Sequence, residues 1–195
     1  MYKLVINFSI GMIYMLNIEK MKPDDWEAVS KIYAEGLESN MATFESTVPN
    51  WEFWNEHHLE EGRFVAKEDN EIIGFIALAP TSYRKIYSGV AEVSVYIDVQ
   101  NRGRGIAAKL INKVIEFADN NDIWTLQASI LEENEASIQL NEKCGFRTIG
   151  YRENIAKDKY GNWRNIVFME RRSRKIGFAG CDMSNCKMKD MFSLE

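Results

Sequence analysis

Apolar positions change their spacing several times along this chain, and each change marks an element. Ile13 to Glu19 alternates weakly, as a first strand would. Pro23-Asp24-Asp25 supplies a helix start, after which Trp26, Val29, Ile32, Tyr33 and Leu37 fall on one helical face. Val48-Pro49-Asn50 opens a second helical stretch through Glu61 that carries Trp51, Trp54 and Leu59. Arg63 to Lys67 and Glu71 to Ala79 read as a hairpin around Glu68-Asp69-Asn70. Val90 to Ile97 is the next strand, and Ile106, Leu110, Ile111, Val114, Ile115 and Ala118 form a helical stripe. Trp124 to Ile130 is a strand, and Asn134 to Lys143 is a short helix stopped by Gly145. Phe146 to Ile155 and Trp163 to Glu170 close the pattern as a strand pair turned at Lys159-Tyr160-Gly161-Asn162. Strands come first, then one β-α-β passage, then a hairpin, an order that favours an α/β or α+β layer around a mixed sheet.

A length of 195 residues suits one domain with a sizeable core. A hydrophobic content of 46% and a charged content of 27% are those of an ordinary globular chain. The net charge of -5 argues against a general nucleic-acid binder. Cys144, Cys181 and Cys186 make neither a disulfide framework nor a metal spacing, so they read as reduced thiols of a cytoplasmic protein with no metal site. Met1 to Leu16 is apolar but lacks a small-residue cleavage site, and Asn7, Ser9 and Gly11 interrupt it too early for a membrane span. Residues 1–15 therefore read as an extension, either an extra strand or a segment ahead of a natural start at Met12 or Met15. The tail, 174–195, reads as peripheral, which leaves a core of about 16–173.

The chemistry concentrates where the Val90–Ile97 strand gives way to the next helix, through Gln100-Asn101-Arg102-Gly103-Arg104-Gly105. Two glycines allow a tight turn, and the first amides of the following helix are free to meet an anion. Gly103-Arg104-Gly105-Ile106-Ala107-Ala108 also satisfies a dinucleotide fingerprint. That fold would place the turn after its first strand, whereas here several strands come before it. A P-loop fails because no Gly-Lys-Ser/Thr follows. A glycine-rich connection with solvated arginines remains the plain alternative.

Downstream lies Asn134-Glu135-Ala136-Ser137-Ile138-Gln139-Leu140-Asn141-Glu142-Lys143-Cys144-Gly145-Phe146. Taken with the turn, it resembles the Gcn5-related N-acetyltransferases (GNAT), whose turn motif is [QR]-x-x-G-x-[GA]. Thr43-Phe44-Glu45, Ser82-Tyr83-Arg84, Ala91-Glu92-Val93-Ser94-Val95-Tyr96-Ile97, Gly150-Tyr151-Arg152-Glu153 and Gly161-Asn162-Trp163-Arg164 resemble the phosphinothricin and methionine sulfoximine acetyltransferase group within it. The resemblance runs from about Leu16 to Ser173. It implies a mixed, mostly antiparallel sheet of about seven strands flanked by helices, with acetyl-coenzyme A as donor and a homodimer as the assembly.

The resemblance also implies roles for residues. The pyrophosphate would sit on backbone amides of Arg102, Gly103, Arg104, Gly105, Ile106 and Ala107, with the two arginines adding charge. The pantetheine arm would pair with the exposed edge of Val95, Tyr96 and Ile97, with Asn134 and Ser137 on its other side and Lys143 at a nucleotide phosphate. Lys143 also reads simply as a cation complementing a helix end. Glu92 shares a strand face with Ser94 and Tyr96. Pattern alone leaves it either a general base or an outward glutamate in an ion pair, and the resemblance favours the base. The amide near Val95 would stabilise the oxyanion. Relatives carry tyrosine or histidine where this chain has Asn141, which cannot act as an acid. Arg84 would pair a substrate carboxylate, with Phe44, Tyr83 and Tyr87 walling the pocket. His57 and His58 read as surface residues away from these motifs. The expected activity is acetyl transfer to the primary amine of a small amino-acid-like acceptor. The rivals are a protein or peptide N-terminal acetyltransferase and a noncatalytic acyl-coenzyme A sensor.

Overall fold

The computed structural model describes residues 16–177. The expectations for residues 1–15, for Cys181 and Cys186, and for most of the tail lie outside them.

A seven-stranded sheet organises the chain. Its strands are β1 (Asn17–Lys20), β2 (Arg63–Glu68), β3 (Glu71–Pro80), β4 (Val90–Ile97), β5 (Thr125–Leu131), β6 (Arg147–Lys157) and β7 (Trp163–Arg172), in the order β1-β2-β3-β4-β5-β7-β6. Every neighbouring pair is antiparallel except β4 and β5. That parallel pair needs a crossover, which α3 (Ile106–Asn120) provides. The mixed, mostly antiparallel sheet flanked by helices is the fold class expected from the sequence.

The helices divide between the two faces. The α3 stripe of Ile106, Leu110, Ile111, Val114 and Ala118 is buried against Phe64, Ile76, Leu78 and Leu126. Ile138 and Leu140 of α4 (Glu135–Lys143) pack on the same cluster. On the other face, Val29, Ile32, Tyr33 and Leu37 of α1 (Trp26–Glu38) join Trp54 of α2 (Trp51–His57), together with Val65, Phe75 and Ala77. Successive side chains of β4 alternate between these two layers: Val93, Val95 and Ile97 pack towards α3, and Tyr96 packs towards α1.

Local chemistry fixes the boundaries. The Asn50 side chain accepts from Phe53 N at 2.9 Å and starts α2. The second helix is shorter than its pattern suggested, because the backbone turns extended at His58 and Leu59 N bonds Leu78 O at 2.7 Å. The chain beyond α2 thus leaves the helix to run beside β3. The first strand begins at Asn17, and the start expected at Ile13 lies outside the described residues.

Candidate active site

Strand β4 keeps its partner β3 from Ala91 to Ile97, but β5 pairs with it only at Val90, Ala91 and Glu92. From Val93 onward the two parallel strands separate, and one edge of β4 has no strand beside it. A cleft of about 840 Å³ lies there, walled by Glu92–Tyr96 of β4 and Ala128–Leu131 of β5. The Met41–Thr47 loop, α2, and Asn134, Ser137 and Asn141 complete the walls. The volume is that of a pocket for a small-molecule ligand.

At the end of the free edge stands the glycine-rich turn. Asp98 N bonds Ile73 O at 3.1 Å, and Val99 N bonds the Glu35 carboxylate at 3.0 Å, so β3 and α1 both hold the turn. Gly103 and Gly105 have φ of 76° and 75°, a region other residues enter only at a cost. Gly105 then leads directly into α3, whose first N–H groups lack intrahelical acceptors. Of the two arginines, Arg104 is bound by Glu68 at 3.0 and 2.6 Å and also contacts Asn101. Its charge is therefore locally offset, unlike the free charge expected of it. Arg102 donates through Nε to Ile97 O at 3.3 Å, and no described carboxylate pairs with it.

Glu92 is half-buried, lines the cleft, and faces the α1 layer with Ser94 and Tyr96. Among the described residues no hydrogen bond or ion pair engages its carboxylate. The ion-paired alternative for this strand glutamate therefore finds no partner. Two other acids of the cleft region are phenols. Burial pushes the Tyr33 hydroxyl up, with the Glu45 carboxylate adding to it, and burial pushes Tyr96 up further, with Tyr33 adding to it. A phenol so shifted gives up its proton less readily, so neither ring suits the protonation of a departing thiolate. Asn141 is buried and donates to Ser137 O at 2.9 Å.

Asn134 is more fully engaged than expected. Its Oδ1 accepts from Ser137 N at 3.1 Å, capping α4, and its Nδ2 donates to Met41 O at 2.8 Å. It fastens the Met41–Thr47 wall to α4, which leaves one amide hydrogen for a ligand. Phe44, Val95, Tyr96, Asn134 and Ser137 line the cleft, but Lys143 does not: it is exposed at the far end of α4. Tyr83, Arg84 and Tyr87 also stand outside these walls, on the exposed loop between β3 and β4, where Arg84 lies 5.4 Å over the Tyr87 ring. No lysine or arginine is among the residues lining the cleft, whereas Glu45 and Glu92 are both there. A carboxylate clamp from Arg84 is thus not assembled within this chain.

His57 and His58 are the reverse case. Both line the cleft, although the sequence placed them on the surface away from it. Sequence separation concealed this, because α2 folds back across the sheet onto β3 and β4. The His57 ring stacks on Phe53 and the His58 ring on Trp54, with centroids 4.0 and 4.1 Å apart.

The acetyltransferase (GNAT) family profile matches residues 26–146, and the chain belongs to this family. It is an acyltransferase whose acyl donor is acetyl-coenzyme A. It is 33% identical over 138 residues to Bacillus subtilis (strain 168) YwnH, a protein named provisionally as a phosphinothricin acetyltransferase; the match covers 68% of this chain and 85% of that protein. It is 26% identical over 152 residues to an L-methionine sulfoximine/L-methionine sulfone acetyltransferase of Pseudomonas aeruginosa, covering 75% of this chain and 88% of that protein. Among solved structures it is similar to a ribosomal-protein-alanine N-acetyltransferase from Brucella melitensis, with 26% identity and a TM-score of 0.75, over 80% of this chain and 99% of that one. No helix among the described residues is long and apolar enough to cross a membrane.

Proposed function

We propose that this enzyme transfers acetyl from acetyl-coenzyme A to the primary amine of a small amino-acid-like acceptor, of the phosphinothricin and methionine sulfoximine kind, with Glu92 as general base. The carrying observation is the unpartnered Glu92 carboxylate in the cleft where β4 and β5 part. The pantetheine arm pairs with the free edge of Val95, Tyr96 and Ile97 as an added strand. The pyrophosphate rests on the amides from Arg102 to Ala107, where the α3 N-terminus favours negative charge. Asn134 and Ser137 flank the arm, and Lys143 meets the outer phosphate.

An ammonium cannot attack, so Glu92 removes its proton, directly or through water. The amine nitrogen then bonds the thioester carbon, and the Val95 amide holds the developing oxyanion. Collapse breaks the carbon–sulfur bond, the nitrogen gives its second proton to solvent, and the thiolate leaves with solvent supplying its proton. Phe44 walls the acceptor side. Tyr83, Arg84 and Tyr87, exposed on the β3–β4 loop outside the cleft walls, take no part in this reading of the acceptor site. The names of the relatives support the acceptor class. The same reading carries a single-domain, cytoplasmic homodimer that needs neither nucleic acid nor membrane, and the exposed Tyr151 and Trp163 of the β6–β7 pair suit an interface.

A protein N-terminus is the second reading. It is favoured by the name of the Brucella neighbour and by a cleft wall without a cation for a free carboxylate. Thiol release from acetyl-coenzyme A, measured against amino acids, phosphinothricin, methionine sulfoximine and short peptides, decides between them. Turnover on the small amines supports the proposal, and turnover confined to peptides overturns its acceptor class. Coenzyme binding without turnover on anything supports the sensor alternative.

A further inference from the structure

We propose that His58 is an acceptor-binding residue, whose Nε2 receives a hydrogen bond from the acceptor's amine opposite Glu92. The inference rests on the amine-acetylating reading above.

Register places the two residues together. Leu59 N bonds Leu78 O at 2.7 Å, so the chain at His58 and Leu59 runs beside the end of β3. On the other side of β3, Ala79 is the cross-strand partner of Glu92. His58 and Glu92 therefore flank Ala79, their backbones about two strand spacings apart, or roughly 10 Å. Both line the same cleft. A small polar group bound over Ala79 would lie between the two residues.

The ring is fixed in orientation and in tautomer. His58 Nδ1 lies 2.7 Å from Trp54 O, and a carbonyl oxygen can only accept, so Nδ1 carries the hydrogen. The ring stacks on Trp54, whose other neighbours include Trp26 and Phe75. Nε2 is left as an acceptor with no partner among the described residues. An acceptor nitrogen wants an N–H or O–H donor, which an amine supplies and a carboxylate does not.

The surroundings keep the ring neutral. Burial pushes its pKa down, the bond to Trp54 O opposes this, and the Arg63 and His57 charges lower it further, so the net direction is down. Arg63 donates to His58 O at 2.7 Å, and Glu60 lies near Arg63. Glu45 and Glu92 are the two carboxylates that line the same cleft. A neutral imidazole with two carboxylates makes a wall of electron-pair donors, suited to an amine that arrives protonated and leaves its proton on Glu92.

The test uses ¹⁵N-histidine spectra of the full chain, which has only two histidines, His57 and His58. With coenzyme A present, the protein is titrated with the amine turned over fastest in the thiol-release panel, or with L-methionine sulfoximine if none is turned over. The expected result is a saturable shift of the His58 Nε2 signal. In kinetics, His58→Phe keeps the stack on Trp54 and should raise the acceptor KM at least tenfold with the acetyl-coenzyme A KM unchanged. His58→Gln, which restores a polar group near the Nε2 position, should recover most of it. A static Nε2 signal alongside Glu92-dependent turnover overturns the role of His58 and leaves the proposed function standing. A shifting signal with no amine acetylated overturns the proposed function and leaves His58 as an amine site. A static signal without turnover overturns both.

Discussion

A Cβ added to Gly36 of α1 would stand 2.6 Å from Cδ1 of Tyr96, so the helix and the cofactor-side strand touch without a side chain between them. The Tyr96 ring has little room to yield. Phe75 stacks on it at 5.1 Å, and Tyr33 meets it edge-on at 4.9 Å. Gly36→Ala would gain about 1 kcal/mol of helix propensity. Overpacking against fixed rings costs about 1–3 kcal/mol, so the clash wins. The expected outcome is a lower melting temperature together with a lower kcat as β4 shifts. Thermal unfolding and steady-state kinetics of the variant check both.

Gly105 tests the turn on different grounds. A Cβ there meets nothing within 4 Å, so the cost of Gly105→Ala is conformational alone. Holding alanine at φ of 75° costs about 1–2 kcal/mol, and relief of that strain would tilt the first amides of α3. The acetyl-coenzyme A KM should rise several-fold, with the acceptor KM little changed. Initial rates with each substrate varied in turn separate the two effects.

Asp158, in the turn after β6, couples the closing hairpin to the cleft wall. It accepts from Asn40 at 3.1 Å, from the Asn162 and Tyr160 N–H groups at 2.9 and 3.0 Å, and from Arg164 at 3.1 Å. Burial pushes its carboxyl up, but these four donors outweigh burial and hold it well below the usual carboxylate range. A carboxyl lowered in the folded state adds stability above its unfolded value of about 3.9, and the protein loses that contribution as pH falls further. Asp158→Asn should therefore be less stable than the natural chain at pH 7, and the gap should narrow from about pH 4 downward. Melting temperatures of both proteins between pH 2 and 7 measure the gap.

Local signals carried most of the fold into the sequence. The six-residue α3 stripe, the Asn50 cap, and Asp69 and Asn70 in the tight β2–β3 turn each announce themselves within a few positions. The glycine-rich turn was legible for the same reason. What stayed hidden depends on non-local pairing. No residue near Val93 signals that β5 leaves β4 there, because the parting lies between strands distant in sequence that pair only at Val90–Thr125, Ala91–Leu126 and Glu92–Gln127. The position of His58 depends on the backbone bond from its neighbour Leu59 to Leu78, nineteen positions further on. Arg84 looked like a clamp by resemblance, yet its loop carries Tyr83 at 99% exposure and stands outside the cleft walls. Asn134 lines the cleft, but its bond to Met41 O spans 93 positions and could not be read locally.

Glu92→Gln is the most direct measurement of the account. The substitution keeps the shape of a side chain that no described residue engages, and it removes only the ability to take a proton. With the best acceptor of the panel, kcat should fall at least a hundredfold, within the range of about 10²–10⁴ for general-base catalysis. The dissociation constant for acetyl-coenzyme A should stay within about twofold, because its anionic groups are met at the other end of the cleft. A variant that binds acetyl-coenzyme A normally and acetylates the amine at the natural rate from pH 6 to 9 would contradict the assignment of Glu92 as the base.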